Sequence, residues 1–262
     1  MSEPIPDILA RIVAKKRDEI ASARPPLALW ERDAEKRIRG RRDFRAALAA
    51  RPPSIIAEMK KASPSKGVLS KHFDPVHLAR AYAEGGAAAL SVLTDESFFQ
   101  GKLADMQAAR DTVSLPVLRK DFMIAMSQVV EAAAHGADAI LLIAAILSVR
   151  QMRDFRESAA SFRMSALVEV HNHDELDAAI ESGADLIGVN NRNLSTFEVN
   201  LDISMNLADD IPPGIVMVTE SGINGPADIA RLRSAGYHAF LVGEYLMKSP
   251  DPAAALSQLV GA

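Results

Sequence analysis

Eight short stretches rich in aliphatic and β-branched residues recur from residue 54 onward, and a segment of helical length separates each one from the next. These predicted strands are residues 54–60, 89–94, 117–122, 139–145, 165–170, 186–191, 216–221 and 239–244. A parallel connection needs a crossover of roughly a dozen residues, and each gap is long enough to supply one. The alternation therefore predicts an α/β fold whose eight parallel strands close into a barrel.

A glycine-led phrase recurs about every fifty residues, the length of two strand–helix units. Its four copies are GGAAAL (85–90), GADAIL (136–141), GADLIG (183–188) and GYHAFL (236–241). Each places glycine after a helical pattern and before an even-numbered strand, where a left-handed residue ends a helix. We predict one (β/α)8 TIM barrel over residues 51–262, preceded by an N-terminal helical extension, residues 1–50, packed on the barrel.

The extension contains two different patterns. Residues 7–22 predict a helix that Asp7 caps, with an apolar stripe that includes Ile12 and Val13. The basic stretch after it predicts a solvated loop with a helical turn, and part of it is expected near an entrance for anionic substrate. Likewise, Asp74 with Pro75 and, later, Asp174 are predicted to open helices.

The composition excludes several kinds of partner and site. The net charge is −4 and the pI is about 5.9, so no global basic field favours nucleic acid or an anionic membrane. The longest aliphatic run, residues 139–147, is too short to span a bilayer. The chain has no cysteine and no signal-like N-terminus, which indicates a cytoplasmic protein. Nothing in the sequence identifies a protein partner.

Polar residues gather at the predicted C-terminal strand ends, where (β/α)8 barrels hold their active sites. They are Glu58, Lys60, Lys120, Glu169, Asn190, Arg192, Glu220 and Ser221. Glu58 and Lys60 share one face of the first strand, where burying either charge alone is costly. Lys120 has the parity of Leu118 and Glu169 that of Leu167, so both are predicted to point inward. Such a group can hold a proton donor and a proton acceptor.

A phosphate site and a slot for a flat ring are predicted at the same end. Backbone N–H groups of Ser221, Gly222, Gly243 and Glu244 follow the last two strands, where barrels often bind phosphate. Phe98 and Phe99 follow the second strand and Phe122 ends the third. These rings either cap the core or form the slot.

Several motifs resemble the indole-3-glycerol phosphate synthase family, which makes the indole ring in tryptophan biosynthesis. They are IIAEMKKASPS (55–65), LSVLTDESFFQG (90–101), LPVLRKDF (115–122), ALVEVHN (166–172), LIGVNNRNL (186–194), VTESGI (218–223) and FLVGEYLM (240–247). The resemblance implies a phosphorylated small-molecule substrate, 1-(2-carboxyphenylamino)-1-deoxyribulose 5-phosphate, and a carbon–carbon lyase that needs no metal or organic cofactor.

The resemblance also implies roles. Lys120 would be the general acid and Glu169 the general base for dehydration, with Lys60 holding an anionic group or sharing the acid role. Glu58, Asn190 and Ser221 would orient these groups. The substrate would contact Ser63, Phe99, Phe122, Arg192, Glu220, Gly222, Gly243 and Glu244.

Three alternatives remain open from the residues alone. His171 and His173, with Asp174 nearby, are spaced to ligate a metal as in barrel hydrolases. A phosphosugar isomerase or a Schiff-base aldolase would use the same barrel. A non-catalytic phosphate-binding module is the third, but for it we would expect a broken array of lysines and glutamates, and the array is intact.

Overall fold

The computed structural model describes residues 8–64, 66–70, 72–193 and 196–262. Its strands are β1 (Ser54–Met59), β2 (Ala62–Ser63), β3 (Gly67–Val68), β4 (Ala89–Leu93), β5 (Val117–Lys120), β6 (Ala139–Ile143), β7 (Ser165–Val170), β8 (Leu186–Asn190), β9 (Val216–Glu220) and β10 (Ala239–Val242). Eight of them run parallel and close into a barrel in the order β1-β10-β9-β8-β7-β6-β5-β4. Both β4 and β10 pair with β1, which confirms the predicted (β/α)8 barrel.

Helices surround the barrel. They are α1 (Ile8–Ser22), α2 (Leu27–Arg37), α3 (Phe44–Ala50), α4 (Pro75–Glu84), α5 (Glu96–Phe99), α6 (Leu103–Thr112), α7 (Met126–Ala134), α8 (Val149–Ser161), α9 (His173–Glu181), α10 (Asp202–Leu207), α11 (Pro226–Ser234), α12 (Glu244–Lys248) and α13 (Pro252–Val260). Among the helices of the described residues, none combines the length and the apolar character that a membrane crossing requires.

Glycine conformation explains the repeated phrase. Gly86, Gly136, Gly183 and Gly236 all have φ between 83° and 93°, in the left-handed region that most side chains avoid. Each follows a helix and turns the chain into an even-numbered strand of the barrel. The predicted role of these glycines is confirmed.

Strand parity divides the core into two layers. Ile56, Leu118 and Leu167 belong to the buried cluster inside the barrel, while Val168 and Val170 belong to the cluster between the strands and the helices. The inward parity predicted for Lys120 and Glu169 is therefore confirmed. Three additional buried residues of the inner cluster, Phe44 and Leu48 of α3 and Ala239 of β10, fill its N-terminal end.

The basic stretch before β1 is not a solvated loop. Arg41 donates to the carbonyl oxygens of Ala137 and Phe162, Arg42 to those of Leu115 and Arg110, and Arg45 to those of Asp185 and Gly214. Most of these carbonyls lie one or two residues before a strand, at the N-terminal end of the barrel. The expectation of a substrate entrance here is wrong, because the candidate site lies at the opposite end. The arginines bind backbone groups that a barrel end leaves without strand partners.

Helix α1 crosses the C-terminal end of the barrel. Its Lys16 is 7% exposed and its Nζ lies 2.9 Å from Asp95 Oδ2 and 3.2 Å from Asp121 Oδ1, just beyond β4 and β5. Burial would lower the pKa of Lys16, but Asp121 and Asp95 raise it above its usual value. Asp7, the predicted cap of this helix, lies outside the described residues.

Element ends differ from the predictions by one or two residues. Seven of the eight barrel strands end earlier than predicted, as β10 does at Val242 rather than at residue 244. Asp74 caps α4 as predicted, accepting from the N–H groups of Val76 and His77. Helix α9 begins at His173, one residue before Asp174, because Asn172 is its N-cap and accepts from the Glu175 N–H. The small hairpin β2–β3 was not predicted.

Candidate active site

One cavity of about 460 Å³ lies at the C-terminal ends of the barrel strands. The structure brings every predicted site residue to its wall: Glu58, Lys60, Ser63, Phe99, Lys120, Phe122, Glu169, Asn190, Arg192, Glu220, Ser221, Gly222, Gly243 and Glu244. They come from seven different strand ends or the loops that follow them. The closed barrel therefore gathers side chains that lie up to 186 residues apart, from Glu58 to Glu244, into one site.

Glu58 on β1 and Lys60, directly after this strand, form the predicted pair. Lys60 Nζ donates to Glu58 Oε1 at 2.6 Å, and Glu58 is only 3% exposed. Burial opposes the charge of Glu58, but Lys60 and Lys120 hold its pKa below the usual value. Gly243 leaves room for this carboxylate, since a β-carbon there would be 2.3 Å from Glu58 Oε1.

Lys120 lies between two buried carboxylates. Its Nζ donates to Glu220 Oε2 at 2.9 Å and to Glu169 Oε2 at 3.3 Å. Burial alone would lower the pKa of Lys120, but the charges of Glu220, Glu169 and Glu58 raise it above its usual value. The ammonium is the shared counterion of these carboxylates and is protonated at neutral pH.

The two carboxylates on Lys120 differ in their acidity. Burial tends to raise the pKa of Glu169, but Lys120 and His171 lower it below the usual range. Burial raises the pKa of Glu220 to about 7 against the pull of Lys120, and the charge of Glu169 adds to the rise. The site thus holds an ionised carboxylate next to one that titrates near neutral pH, which is the pattern of paired acid–base groups.

The turn after β9 carries the first half of the predicted phosphate site. Ser221 and Gly222 have φ of 65° and 82°, two successive left-handed residues. Nδ2 of the buried Asn191 donates to the carbonyl oxygens of Glu220 and Ser221, at 3.0 and 3.2 Å, and holds this turn against β8. Successive backbone N–H groups in such a turn form a concave site for anions.

The second half of the predicted phosphate site begins α12. Glu244 is the first residue of this helix, and its side chain contacts Lys66 and, at 2.6 Å, Lys248. Burial would raise the pKa of Glu244, but Lys248 and Lys66 lower it to about 2. Arg192 Nη2 lies 3.8 Å from the same carboxylate. Three cations therefore surround the Glu244 carboxylate, and two of them, Lys66 and Arg192, line the cavity.

Phe99 and Phe122 stand side by side at the other end. Their ring centroids are 5.9 Å apart and their planes are tilted by 33°. Both rings are half-buried and line the cavity, so they present apolar surface to whatever occupies it.

Comparison with known proteins identifies relatives of this chain. The sequence profile described as "Indole-3-glycerol phosphate synthase" matches residues 9–259. A relative of that name from Polaromonas sp. (strain JS666) is 52% identical over 261 residues, which cover 97% of this chain and 98% of the relative. Another, from Paracidovorax citrulli, is also 52% identical and covers the same shares.

The chain belongs to the indole-3-glycerol phosphate synthase family. Members of this family are carboxy-lyases of tryptophan biosynthesis, and the chain is an enzyme of this class. The family name specifies a phosphorylated compound, which agrees with the predicted phosphorylated small-molecule ligand.

Solved structures of other barrels share the fold at low sequence identity. A thiamine phosphate pyrophosphorylase from Pyrococcus furiosus aligns with a TM-score of 0.60 at 18% identity, covering 79% of this chain and 93% of its own. A chain of the tryptophan synthase complex from the same organism aligns with a TM-score of 0.59 at 15% identity, covering 81% and 99%. These likenesses support the barrel fold of this chain and carry no information about its substrate or activity.

Some residues that line the cavity of this synthase-family chain were not predicted from the sequence. Ile8, Leu9 and Ile12 of α1 line the cavity, as do Lys66 and Val199 of two loops. The apolar stripe of α1 was visible in the sequence, but a stripe does not say which surface it covers. Asn191 was also missed; the available signal was a second asparagine beside Asn190 at the end of the predicted strand.

The two histidines after β7 do not converge as a metal site of a barrel hydrolase would. His171 Nδ1 lies 2.9 Å from Glu175 Oε2, whereas His173 Nδ1 lies 3.1 Å from Asp210 Oδ2 and its side chain is 61% exposed. Among the described residues, no three His, Cys, Asp or Glu side chains are grouped so that they would hold a metal ion. The His-x-His pattern in this synthase-family chain therefore has no geometric support as a metal site.

Proposed function

We propose that this chain closes the indole ring of 1-(2-carboxyphenylamino)-1-deoxyribulose 5-phosphate, releasing carbon dioxide and water to give indole-3-glycerol phosphate. One observation carries the proposal. The Lys120 ammonium lies within 3.3 Å of the carboxylates of Glu169 and Glu220, on the wall of a cavity that also holds a candidate phosphate site. Family membership supports the same reaction.

Lys120 is the general acid of the proposed reaction. It donates a proton to the carbonyl oxygen of the ribulose while the aromatic carbon that bears the carboxylate attacks the carbonyl carbon. Loss of carbon dioxide then returns the bonding electrons to the ring. A Schiff-base aldolase would need Lys120 as a neutral amine, and the three carboxylates around it stabilise the ammonium instead.

Glu169 is the general base of the later dehydration. The hydroxyl that formed from the carbonyl leaves as water when it receives a second proton, and Glu169 removes one proton from the new ring. Glu169 is ionised in the folded protein and 2% exposed, so it can accept that proton away from bulk water. These steps need only proton transfer and charge stabilisation by side chains.

The remaining residues bind and orient the substrate. Lys60 holds an anionic group or shares the acid role, and Glu58, Asn190 and Ser221 orient the reacting groups. The substrate phosphate binds the N–H groups of Ser221, Gly222, Gly243 and Glu244, with Arg192 and Ser63 nearby, and Glu220 contacts the substrate beside Lys120. The anthranilate ring lies against Phe99 and Phe122, whose tilted rings offer an apolar face.

The proposal also includes the cellular location, the partners and the domain division of the chain. We place the enzyme in the cytoplasm, where its substrate is a small molecule and neither nucleic acid nor membrane takes part. We also divide the chain into the helical extension, residues 1–50, and the barrel, residues 51–262.

The test is incubation of the purified protein with the phosphorylated anilino-ribulose, followed by fluorescence detection of the indole product. We expect product from the wild-type chain and almost none from Glu169→Gln. A protein that binds this substrate but forms no indole product would overturn the proposed function. Labelling of Lys120 by borohydride in the presence of a sugar phosphate would favour the aldolase.

A further inference from the structure

His171 lies immediately behind Glu169 as seen from the cavity. It follows β7 directly, its side chain is 11% exposed, and it is not part of the cavity wall. Nε2 of its ring lies 3.4 Å from Glu169 Oε1, and Nδ1 lies 2.9 Å from Glu175 Oε2. The imidazole thus bridges the proposed general base and a second carboxylate on α9.

Glu175 is itself fixed by the start of α9. Its Oε2 accepts from the backbone N–H of His171 at 2.9 Å, and its Oε1 accepts from Asn172 Nδ2 at 2.9 Å. The backbone N–H of Glu175 in turn donates to Asn172 Oδ1 at 2.9 Å. This reciprocal cap ties the carboxylate to a helix terminus, so it is a rigid support for the imidazole.

A different cation lies close to each carboxylate oxygen of Glu169. Lys120 lies 3.3 Å from Oε2, and His171 lies 3.4 Å from Oε1. In the proposed reaction Lys120 gives its proton to the substrate and then no longer holds Glu169 as an ammonium. His171 lies outside the cavity wall, so its contact with Glu169 persists through that step.

We propose that His171 is a positioning residue that holds Glu169 in place for proton abstraction, with Glu175 as its support. The inference rests on the proposed function, because it assumes that Glu169 is the general base. Holding the base from the side away from the substrate keeps its reactive oxygen aligned without occupying the pocket.

The charges around the imidazole agree with this role. Burial would lower the pKa of His171, but Glu169 from β7 and Glu175 from α9 raise it to about 10. Lys120 contacts the other carboxylate oxygen of Glu169. The ring is therefore a cation at neutral pH, and it contributes to the low pKa of Glu169.

The test compares His171→Gln with His173→Gln, a matched control on the first residue of α9. We expect His171→Gln to lower kcat by roughly tenfold to a hundredfold, the scale of a slightly misplaced catalytic group, with little change in KM. Losing the His171 cation also raises the pKa of Glu169. The acid limb of the plot of kcat against pH therefore moves to higher pH. His173→Gln should leave kcat and the profile unchanged, because its partner is the exposed Asp210.

Glu175→Gln provides a second variant that keeps the imidazole in case His171→Gln does not fold. It lowers the pKa of His171, and kcat should then fall as pH rises through that new value, unlike in the wild type. Wild-type kcat with an unshifted acid limb in His171→Gln would overturn the inference, as would a loss of thermal stability alone. If Glu169→Gln is inactive while His171→Gln matches the wild type, only this inference fails; if Glu169→Gln is fully active, the base assignment fails with it.

Discussion

The carboxylate of Glu220 lies over Gly188: a β-carbon at Gly188 would stand 2.4 Å from Glu220 Oε1. Among the described residues this oxygen accepts no hydrogen bond, while Oε2 of the same carboxylate accepts from Lys120. The glycine on β8 therefore creates the space in which a second carboxylate can reach the ammonium beside Glu169. Because no hydrogen-bond donor contacts Oε1, the protonated form of the Glu220 carboxyl group is favoured, in agreement with its raised pKa.

Gly188→Ala should displace Glu220 from Lys120 and reduce kcat more than it affects folding. The new methyl group would meet Glu220 Oε1 and, at 3.2 Å, Leu167 Cδ1, and overpacking of this kind costs about 1–3 kcal/mol. Steady-state kinetics with urea unfolding measure both effects. Gly40→Ala is the control, since nothing lies within 4 Å of a β-carbon there. Unchanged kcat in Gly188→Ala would mean that the Glu220 contact does not matter for turnover.

Lys120→Ala and Glu169→Gln should each reduce turnover by at least about a hundredfold, the usual scale for losing a general acid or base. Lys120→Ala leaves Glu220 without its ammonium, but a carboxyl with a pKa already near 7 takes up a proton and the fold is retained. Indole fluorescence gives the rate and circular dichroism checks the fold. Near-normal turnover in either well-folded variant would contradict the assigned role.

Glu220→Gln should become more stable relative to the wild type as pH rises from 4.5 to about 7. The folded protein holds the Glu220 proton up to about pH 7, whereas the unfolded chain loses it near its ordinary pKa of 4.5. The unfolded state binds fewer protons in this window, so the group lowers the free energy of unfolding as pH rises. Urea titrations at several pH values measure the difference between variant and wild type.

Glu244→Gln is the control with the opposite sign. The pKa of Glu244 is lowered to about 2, so its contribution to stability is present above pH 4.5 and is lost as pH falls toward 2. The difference in the free energy of unfolding between Glu244→Gln and the wild type should be constant between pH 5 and 7. A constant difference for Glu220→Gln over the same range would show that Glu220 is ionised throughout.

Lys16→Met should destabilise the fold strongly because it leaves Asp95 and Asp121 buried without their ammonium. Removing one partner of a buried ion pair costs about 3–5 kcal/mol, and Arg119 and Thr94, which also contact Asp121, reduce that cost to the lower end. Urea unfolding measures it against Lys15→Met, an exposed neighbour on α1 that should change little. Equal effects of the two substitutions would show that the buried ammonium is dispensable.

Patterns that repeat within a few residues were predicted well. The parity that points Lys120 and Glu169 inward follows from the alternation of side chains along one strand, and the left-handed glycines follow from the missing β-carbon. The turn at Ser221 and Gly222 remains a predicted phosphate site, and its residues were recognisable because they are adjacent in sequence. Roles of individual site residues remain predictions until the variants above are measured.

Arrangements between distant segments were predicted poorly. The charge-rich stretch around Arg42 looked solvated, yet its guanidinium donates to the carbonyl oxygen of Leu115, 73 residues away. The apolar stripe of α1 could have covered any surface, and in the structure it lines part of the cavity at the C-terminal end of the barrel. His171 looked like half of a metal site until Glu169 and Glu175 were found on either side of its ring.

By itself, the sequence determined the eight strands, the face of each strand that carries the charges and the end at which those charges gather. These depend on backbone geometry over two to four residues, which the chain encodes locally. Only the closed barrel decided that Lys120 lies between Glu169 and Glu220, that α1 covers the cavity and that His171 faces the base. Those contacts depend on how strands 49 and 100 residues apart are aligned around the ring, which no local pattern specifies.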